Sequence, residues 1–91
     1  MPKYLIEVPH ENTQAACDAA IHAFLTTGSH FCTHADWGCR DGEHKAWILA
    51  ELDSKQDALS ILPPAFRRDA KVTEVEKFSA EDLRSTVEEH D

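Results

Sequence analysis

The feature that most constrains the fold of this chain is the order of its strand-like and helix-like segments. Residues 3–8, KYLIEV, form a short run rich in β-forming side chains that ends at Pro9, which is typical of a short β-strand. Residues 11–28 carry apolar side chains at helical spacing, and either Asn12 or Thr13 can cap this helix. Gly28 then stands where a left-handed helix end is expected. The chain therefore begins with a strand followed by a helix.

The remaining segments continue this alternation. Strand patterns occupy residues 29–37, 44–52 and 71–78, and helix patterns occupy residues 54–62 and 79–90. The first two of these strands flank residues 38–43, whose Asp-Gly pair is typical of a turn, so they are expected to form an antiparallel hairpin. Ser79 and Asp82 have the spacing of a capping box at the start of the last helix. The element order is β-α-β-β-α-β with a C-terminal helix.

This element order resembles the ferredoxin-like, split-βαβ arrangement, and the resemblance extends over nearly the whole chain. It implies an α+β fold in which a four-stranded antiparallel sheet of order 4-1-3-2 carries two helices on one face. A length of 91 residues suits a single domain over residues 1–91. We divide it into a core, residues 1–78, and an acidic helix or tail, residues 79–91.

Charge and composition exclude several partners. The chain has 17 acidic and 9 basic residues and a net charge of −8, which argues against binding to nucleic acid or to anionic membranes. No apolar run approaches the ~18 residues of a membrane span, and the N-terminus lacks the layout of a signal peptide. The three cysteines are an odd number, so we expect free thiols and a cytoplasmic location.

Side-chain parity in the predicted hairpin gathers reactive groups on one face of the sheet. His30, Cys32, His34 and Asp36 fall on one side of the second strand, and the hairpin places them with Lys45, Trp47, Leu49 and Glu51 of the third. With a six-residue loop, Asp36 faces Lys45, His30 faces Glu51 and His34 faces Trp47.

The same face carries exposed apolar side chains, chiefly Leu5, Trp47 and Leu49, with Val75 on the fourth strand. Such a patch is uncommon on a small soluble monomer. The pattern resembles the dimeric α+β barrel group, in which two sheets pair face to face, and the resemblance implies a homodimer. The alternative is a monomer whose tail helix, residues 79–90, covers this face.

The ten residues HFCTHADWGC, 30–39, favour a metal site, because imidazole and thiolate are ligands of zinc, nickel and copper. We predict metal ligands among the reactive side chains of this strand and the following hairpin: Cys32, His34, Asp36, Cys39 and His44. Trp47, with Leu5 and Leu49, is predicted to form an apolar ligand-binding wall. The chain is similar in size and topology to small bacterial nickel-binding proteins, although it contains none of the standard zinc-binding spacings.

Two other functions remain open from the sequence. A small cofactor-independent enzyme, similar to the monooxygenases and isomerases of the dimeric α+β barrel group, could use His34 and Asp36 as an acid–base pair. A binding module without chemistry could hold a small molecule in the cleft of its open face. In either case Cys17 and Cys32 could be small buried apolar residues, and His30 and His34 could simply face solvent.

Overall fold

The computed structural model describes residues 1–82. These residues form four strands, two α-helices and three short 3-10 turns. The strands are β1 (Lys3–Pro9), β2 (Asp36–Trp37), β3 (Lys45–Glu51) and β4 (Lys71–Val75). The α-helices are α1 (Gln14–Thr26) and α2 (Lys55–Ser60), and the 3-10 turns are His30–His34, Cys39–Asp41 and Pro64–Phe66.

The four strands form one antiparallel sheet in the order β2-β3-β1-β4, which is the predicted order 4-1-3-2 counted from the other edge. The central pair is β1 and β3, with Leu5 opposite Leu49 and Pro9 opposite Lys45. On the outer side of β1, β4 pairs Leu5 with Thr73. The α+β class and the four-stranded antiparallel sheet are therefore confirmed.

The core lies between the helices and one face of this sheet. Tyr4, Ile6 and Val8 of β1 are buried, as their shared parity predicts, and so are alternate residues of β3. Phe24 of α1 is fully buried against them, and its ring packs at 4.9 Å from Trp37 and 5.5 Å from Phe66. The helices cover this face because it is the one that carries the apolar residues.

Both helices begin at a capping side chain. The Thr13 hydroxyl accepts a hydrogen bond from the Ala16 amide at 3.0 Å, and the Ser54 hydroxyl accepts one from the Asp57 amide at 3.1 Å. The prediction of a left-handed Gly28 at the end of α1 is wrong, because Gly42 is the only described glycine with positive φ.

The prediction of a strand over residues 29–37 is also largely wrong. Only Asp36 and Trp37 pair with β3, while His30–His34 form a 3-10 turn. Local hydrogen bonds favour this turn: the Cys32 amide donates to the Ser29 carbonyl at 2.9 Å, and the Thr33 hydroxyl donates to the His30 carbonyl at 2.6 Å. Such local bonds, the Thr33 side-chain bond among them, compete with the ladder of a sheet.

The predicted register of the hairpin is wrong as well, although its parity is correct. Asp36 lies opposite Trp47 rather than Lys45. His30 and His34 are not in a strand, so neither faces Glu51 or Trp47 across a ladder.

The capping box at Ser79 is confirmed, since the Ser79 amide donates to Asp82 and the Asp82 amide donates to the Ser79 hydroxyl. The rest of the predicted tail helix lies outside the described residues. Within residues 1–82, no helix combines the length and the apolar character that crossing a membrane requires.

Candidate metal centre

Three metal-ligating side chains meet where β1 ends and β3 begins. Ligand atoms of His10, Cys39 and His44 all lie within 4.8 Å of one another. The sheet register causes this meeting, because Pro9 pairs with Lys45 and thus brings the residues next to them together. The His10 amide donates to the His44 carbonyl at 3.0 Å, which extends the ladder by one bond.

Cys39 reaches the two histidines from the turn that connects β2 to β3. The Asp41 and Glu43 amides both donate to the Gly38 carbonyl at 3.0 Å, and the Gly42 amide donates to the Cys39 carbonyl at 3.1 Å. Gly42 closes this turn with φ of +84°, a left-handed conformation that glycine adopts without strain. The turn therefore holds Cys39 at a fixed position beside the sheet.

The orientation of the His10 ring suits metal binding. Its Nδ1 lies 2.9 Å from the Glu11 carbonyl oxygen, and because a carbonyl only accepts, Nδ1 must carry the proton of this hydrogen bond. The lone pair is then on Nε2, which lies 3.1 Å from the Cys39 sulfur. Metal-binding histidines commonly donate their other ring nitrogen to a backbone carbonyl in this way.

His44 contributes a buried nitrogen that has no hydrogen-bond partner. Its ring is half-buried and stands edge-on to the His10 ring, with 5.5 Å between the centroids. Its Nδ1 is inaccessible to solvent and forms no hydrogen bond within residues 1–82. A buried polar atom without a partner costs free energy, which a cation would relieve if this nitrogen were the His44 ligand atom.

A second cysteine, Cys17 of α1, contacts the same sulfur. Its thiol donates to the Cys39 sulfur across 2.8 Å. The start of α1 fixes this position, since the Cys17 amide donates to the carbonyl of the capping residue Thr13 at 3.0 Å. The hydrogen bond to Cys39, together with burial, raises the pKa of the Cys17 thiol to about 11.

A cavity of about 620 Å³ opens beside this cluster. Cys17, Cys39 and His44 lie in its wall with Trp37, and Arg40 and Asp18 bring charge to its rim. The Trp37 ring also packs at 6.1 Å from the His10 ring, so an aromatic side chain shields one side of the cluster. Cys17 and Cys39 thus line a cavity beside the cluster.

Of the five predicted metal ligands, the structure brings only Cys39 and His44 together. Cys32 is 1% exposed, and its thiol donates to the Ile61 carbonyl at 3.2 Å inside the core, as the apolar alternative expected. Burial raises the pKa of the Cys32 thiol. His34 and Asp36 are exposed and lie outside the cluster.

The predicted apolar wall of Trp47, Leu5 and Leu49 lies on the uncovered face of the sheet, apart from the cluster. Trp47 donates its indole N–H to Glu7 at 3.4 Å, and Leu49 is 60% exposed. A shallow cavity of about 260 Å³ on this face is lined by Leu49 but by neither Trp47 nor Leu5. Trp37, rather than Trp47, is the aromatic wall of the cluster.

The predicted acid–base pair does not form in the described residues. His34 ends the 3-10 turn and Asp36 begins β2, and within residues 1–82 neither a hydrogen bond nor an ion pair connects their side chains. Neither residue lines either of the two cavities above. This arrangement gives no support to the enzyme hypothesis.

His10 and Cys17 are not among the metal ligands predicted from the sequence. The signal for His10 was present, since in a 4-1-3-2 sheet the end of the first strand lies beside the start of the third. Cys17 carried no comparable signal, because its approach to Cys39 depends on how α1 packs on the sheet.

Comparison with known proteins gives no match: no family model, no curated protein and no solved structure shows significant similarity to this chain.

Proposed function

We propose that this protein binds a divalent transition-metal ion through His10, Cys39 and His44. The observation that carries this proposal is the convergence of two imidazoles and one thiol within 4.8 Å. Zinc, nickel and copper prefer these ligand types, whereas calcium and magnesium prefer oxygen ligands. The net charge of −8 raises the local concentration of cations around the molecule.

The surroundings of the three side chains support this function beyond their proximity. His10 is oriented by a backbone carbonyl, His44 has an unsatisfied buried nitrogen, and Cys39 is held in a tight turn. A chance grouping of surface residues would lack this support. The cavity of about 620 Å³ beside the cluster supplies an entry path for the ion, which a working metal site requires.

The test is metal analysis of the untagged protein, purified, stripped with a chelator and reloaded with zinc, nickel or copper in turn. We expect one ion per chain, and we expect His10→Ala and His44→Ala each to remove it. His34→Ala is the matched control, because His34 is exposed and lies outside the cluster. Retention of the ion in both cluster variants, or its loss in the control, would refute the site.

We also propose that the domain belongs to the ferredoxin-like arrangement and that a second copy of the chain covers the open sheet face. The sheet order and the two helices on one face support the first part. The residues that share the open face are Lys3, Leu5, Glu7, Asp36, Lys45, Trp47, Leu49, Glu51, Lys71, Thr73 and Val75.

Charge balance on the open face supports a second copy as its occupant. This face carries three lysines and three acidic residues, although the whole chain has a net charge of −8. A copy can approach this face without the repulsion that the rest of the surface imposes. Sedimentation equilibrium should give a dimer for the full chain and a monomer for Leu49→Asp. A monomeric full chain that dimerises after removal of residues 83–91 would assign the face to the tail.

A further inference from the structure

Cys17 lies beside the cluster of His10, Cys39 and His44 and is a fourth candidate ligand. Its sulfur touches the Cys39 sulfur at 2.8 Å, and Cys39 in turn touches His10 Nε2 at 3.1 Å. Cys17 and Cys39 come from different elements, α1 and the turn before β3, so no local pattern forces them together. The fold itself places the second sulfur next to the first.

Two of the ligand-atom separations can be compared with the first shell of a tetrahedral ion. Zinc bonds of about 2.3 Å to sulfur and about 2.0 Å to nitrogen place neighbouring ligand atoms about 3.3–3.8 Å apart. The observed separations of 2.8 and 3.1 Å are shorter than this. An ion would separate these two pairs by up to about 1 Å, and Cys17, whose sulfur lies outside the 4.8 Å group of His10, Cys39 and His44, rotates toward the histidines to complete the shell.

Charge favours the same set of four ligands. Two thiolates and two neutral imidazoles balance the charge of a divalent ion, which matters because Cys17 is 6% exposed and the other three ligands are half-buried. With Cys39 as the only thiolate, the centre would carry a net positive charge beside the half-buried Trp37 ring, which packs on His10. Cys32 differs from Cys17 here, because its thiol already donates to the Ile61 carbonyl, away from the cluster.

We infer that Cys17 is the fourth ligand and that the centre is a closed, tetrahedral two-cysteine, two-histidine site for a thiophilic divalent ion such as zinc. This inference rests on the proposed metal function and deepens it. Four protein ligands leave no open position for a reacting water, so the centre holds an ion for structure, storage or transfer. The cavity then serves ion exchange at the sulfur atoms.

Cobalt(II) reports this geometry directly, because its visible bands depend on coordination geometry and its near-ultraviolet charge-transfer band depends on the thiolates. The stripped, untagged protein is titrated with cobalt under reducing conditions, followed by zinc to displace it. We expect intense bands of tetrahedral cobalt that saturate at one ion per chain. In Cys17→Ala the charge-transfer band per bound cobalt should fall by about half and the affinity by more than about tenfold.

Cys32→Ala is the matched control, since it removes a buried thiol outside the cluster and should leave the cobalt spectrum unchanged. Circular dichroism of each variant checks that it folds. Should Cys17→Ala fail to fold, X-ray absorption of the zinc-loaded full chain counts the sulfur neighbours, with two expected. One sulfur, or an unchanged cobalt spectrum in Cys17→Ala, overturns the fourth ligand while the three-ligand site stands. A wild-type chain that takes up neither ion overturns both.

Discussion

Cys32 and Cys39 stand seven positions apart in the same reactive stretch, yet the fold places their thiols in opposite surroundings. Cys32 is sealed in the core, 1% exposed, and its sulfur meets a backbone carbonyl. Cys39 is half-buried at a cavity, and its sulfur meets another thiol and an imidazole. Residue type and sequence proximity thus do not predict the surroundings of a thiol, because the local turn determines which groups it contacts.

The largest predicted difference between Cys39 and Cys32 is in their effect on zinc affinity. Cys39→Ala should weaken zinc binding by more than about 100-fold, because even residues that only support a metal ligand are worth about 10–100-fold. Cys32→Ala should leave zinc affinity within about twofold of the wild type and lower the free energy of unfolding by about 1–2 kcal/mol through its cavity. Competition titration with a chromophoric chelator, together with urea unfolding, measures both. Equal zinc affinities in the two variants would contradict the assignment of Cys39 as a ligand and Cys32 as a core residue.

The metal-free protein should also oxidise selectively. Hydrogen peroxide oxidises the adjacent thiols of Cys17 and Cys39 to one disulfide. The peroxide is reduced to two waters, which take up the two thiol protons. Cys32 should stay reduced because it is buried. Thiol titration in denaturant should then fall from three thiols to one, and in Cys32→Ala from two to none. Bound zinc should slow the reaction, and oxidation of Cys32 in the native protein would contradict the assigned environments.

Gly28 and Gly42 lie beside Cys32 and Cys39 in the chain or in space, so their backbones also differ in what a substitution would do. A Cβ at Gly28 would lie 2.6 Å from the Cys32 sulfur, so Gly28→Ala should destabilise the protein by about 1–3 kcal/mol. A Cβ at Gly42 meets no atom within 4 Å, but the left-handed backbone should still make Gly42→Ala cost about 1–2 kcal/mol.

The two glycine variants should differ in metal binding. Gly42→Ala strains the turn that carries Cys39 and should weaken zinc affinity, whereas Gly28→Ala acts in the core and should not. Urea unfolding of the metal-free forms gives the stabilities, and zinc competition gives the affinities. A stronger loss of affinity in Gly28→Ala would reverse the assignment.

The smallest predicted effect concerns Tyr4, which shares the core with Cys32 and is the only tyrosine. Burial, followed by the nearby carboxylates of Glu74, Asp57 and Asp53, raises the pKa of the Tyr4 phenol above 10.0. The folded state therefore favours the neutral phenol. The resulting stability is fully present below pH 10 and is lost as the pH rises through the folded-state pKa.

Tyrosinate absorbance should accordingly appear at higher pH in the native protein than in urea. Tyr4→Phe removes the signal and provides the control. Coincident titration curves in the two conditions would mean that the phenol is solvated in the folded state.

Much of the fold could be predicted from local patterns, whereas the candidate site depends on contacts distant in the sequence. Alternation in β1 and β3 revealed the buried face correctly, because a half-buried strand needs one apolar side. The same alternation failed at residues 29–37, since Thr33 and Ser29 offered the backbone local partners and β2 shrank to two residues. The alternation of polar and apolar residues carries no information about such local hydrogen bonds.

The site was partly predictable for a related reason. Cys39 and His44 stood out because they border one turn, and His10 could have been added from strand order alone. Cys17 could not, because its contact with Cys39 depends on the rotation of α1 about its own axis. Helical periodicity gives only the apolar side of α1, and Cys17 lies near the margin of that side, beside the cavity.

The brevity of β2 has a consequence for how these molecules can associate. An exposed edge strand offers unpaired amides and carbonyls to which another chain can add a strand, and long edges promote aggregation. At the β2 edge this sheet offers a stretch of only two residues, followed at once by the turn at Cys39. Strand addition there would gain few hydrogen bonds, so fibre-like growth from this edge is disfavoured.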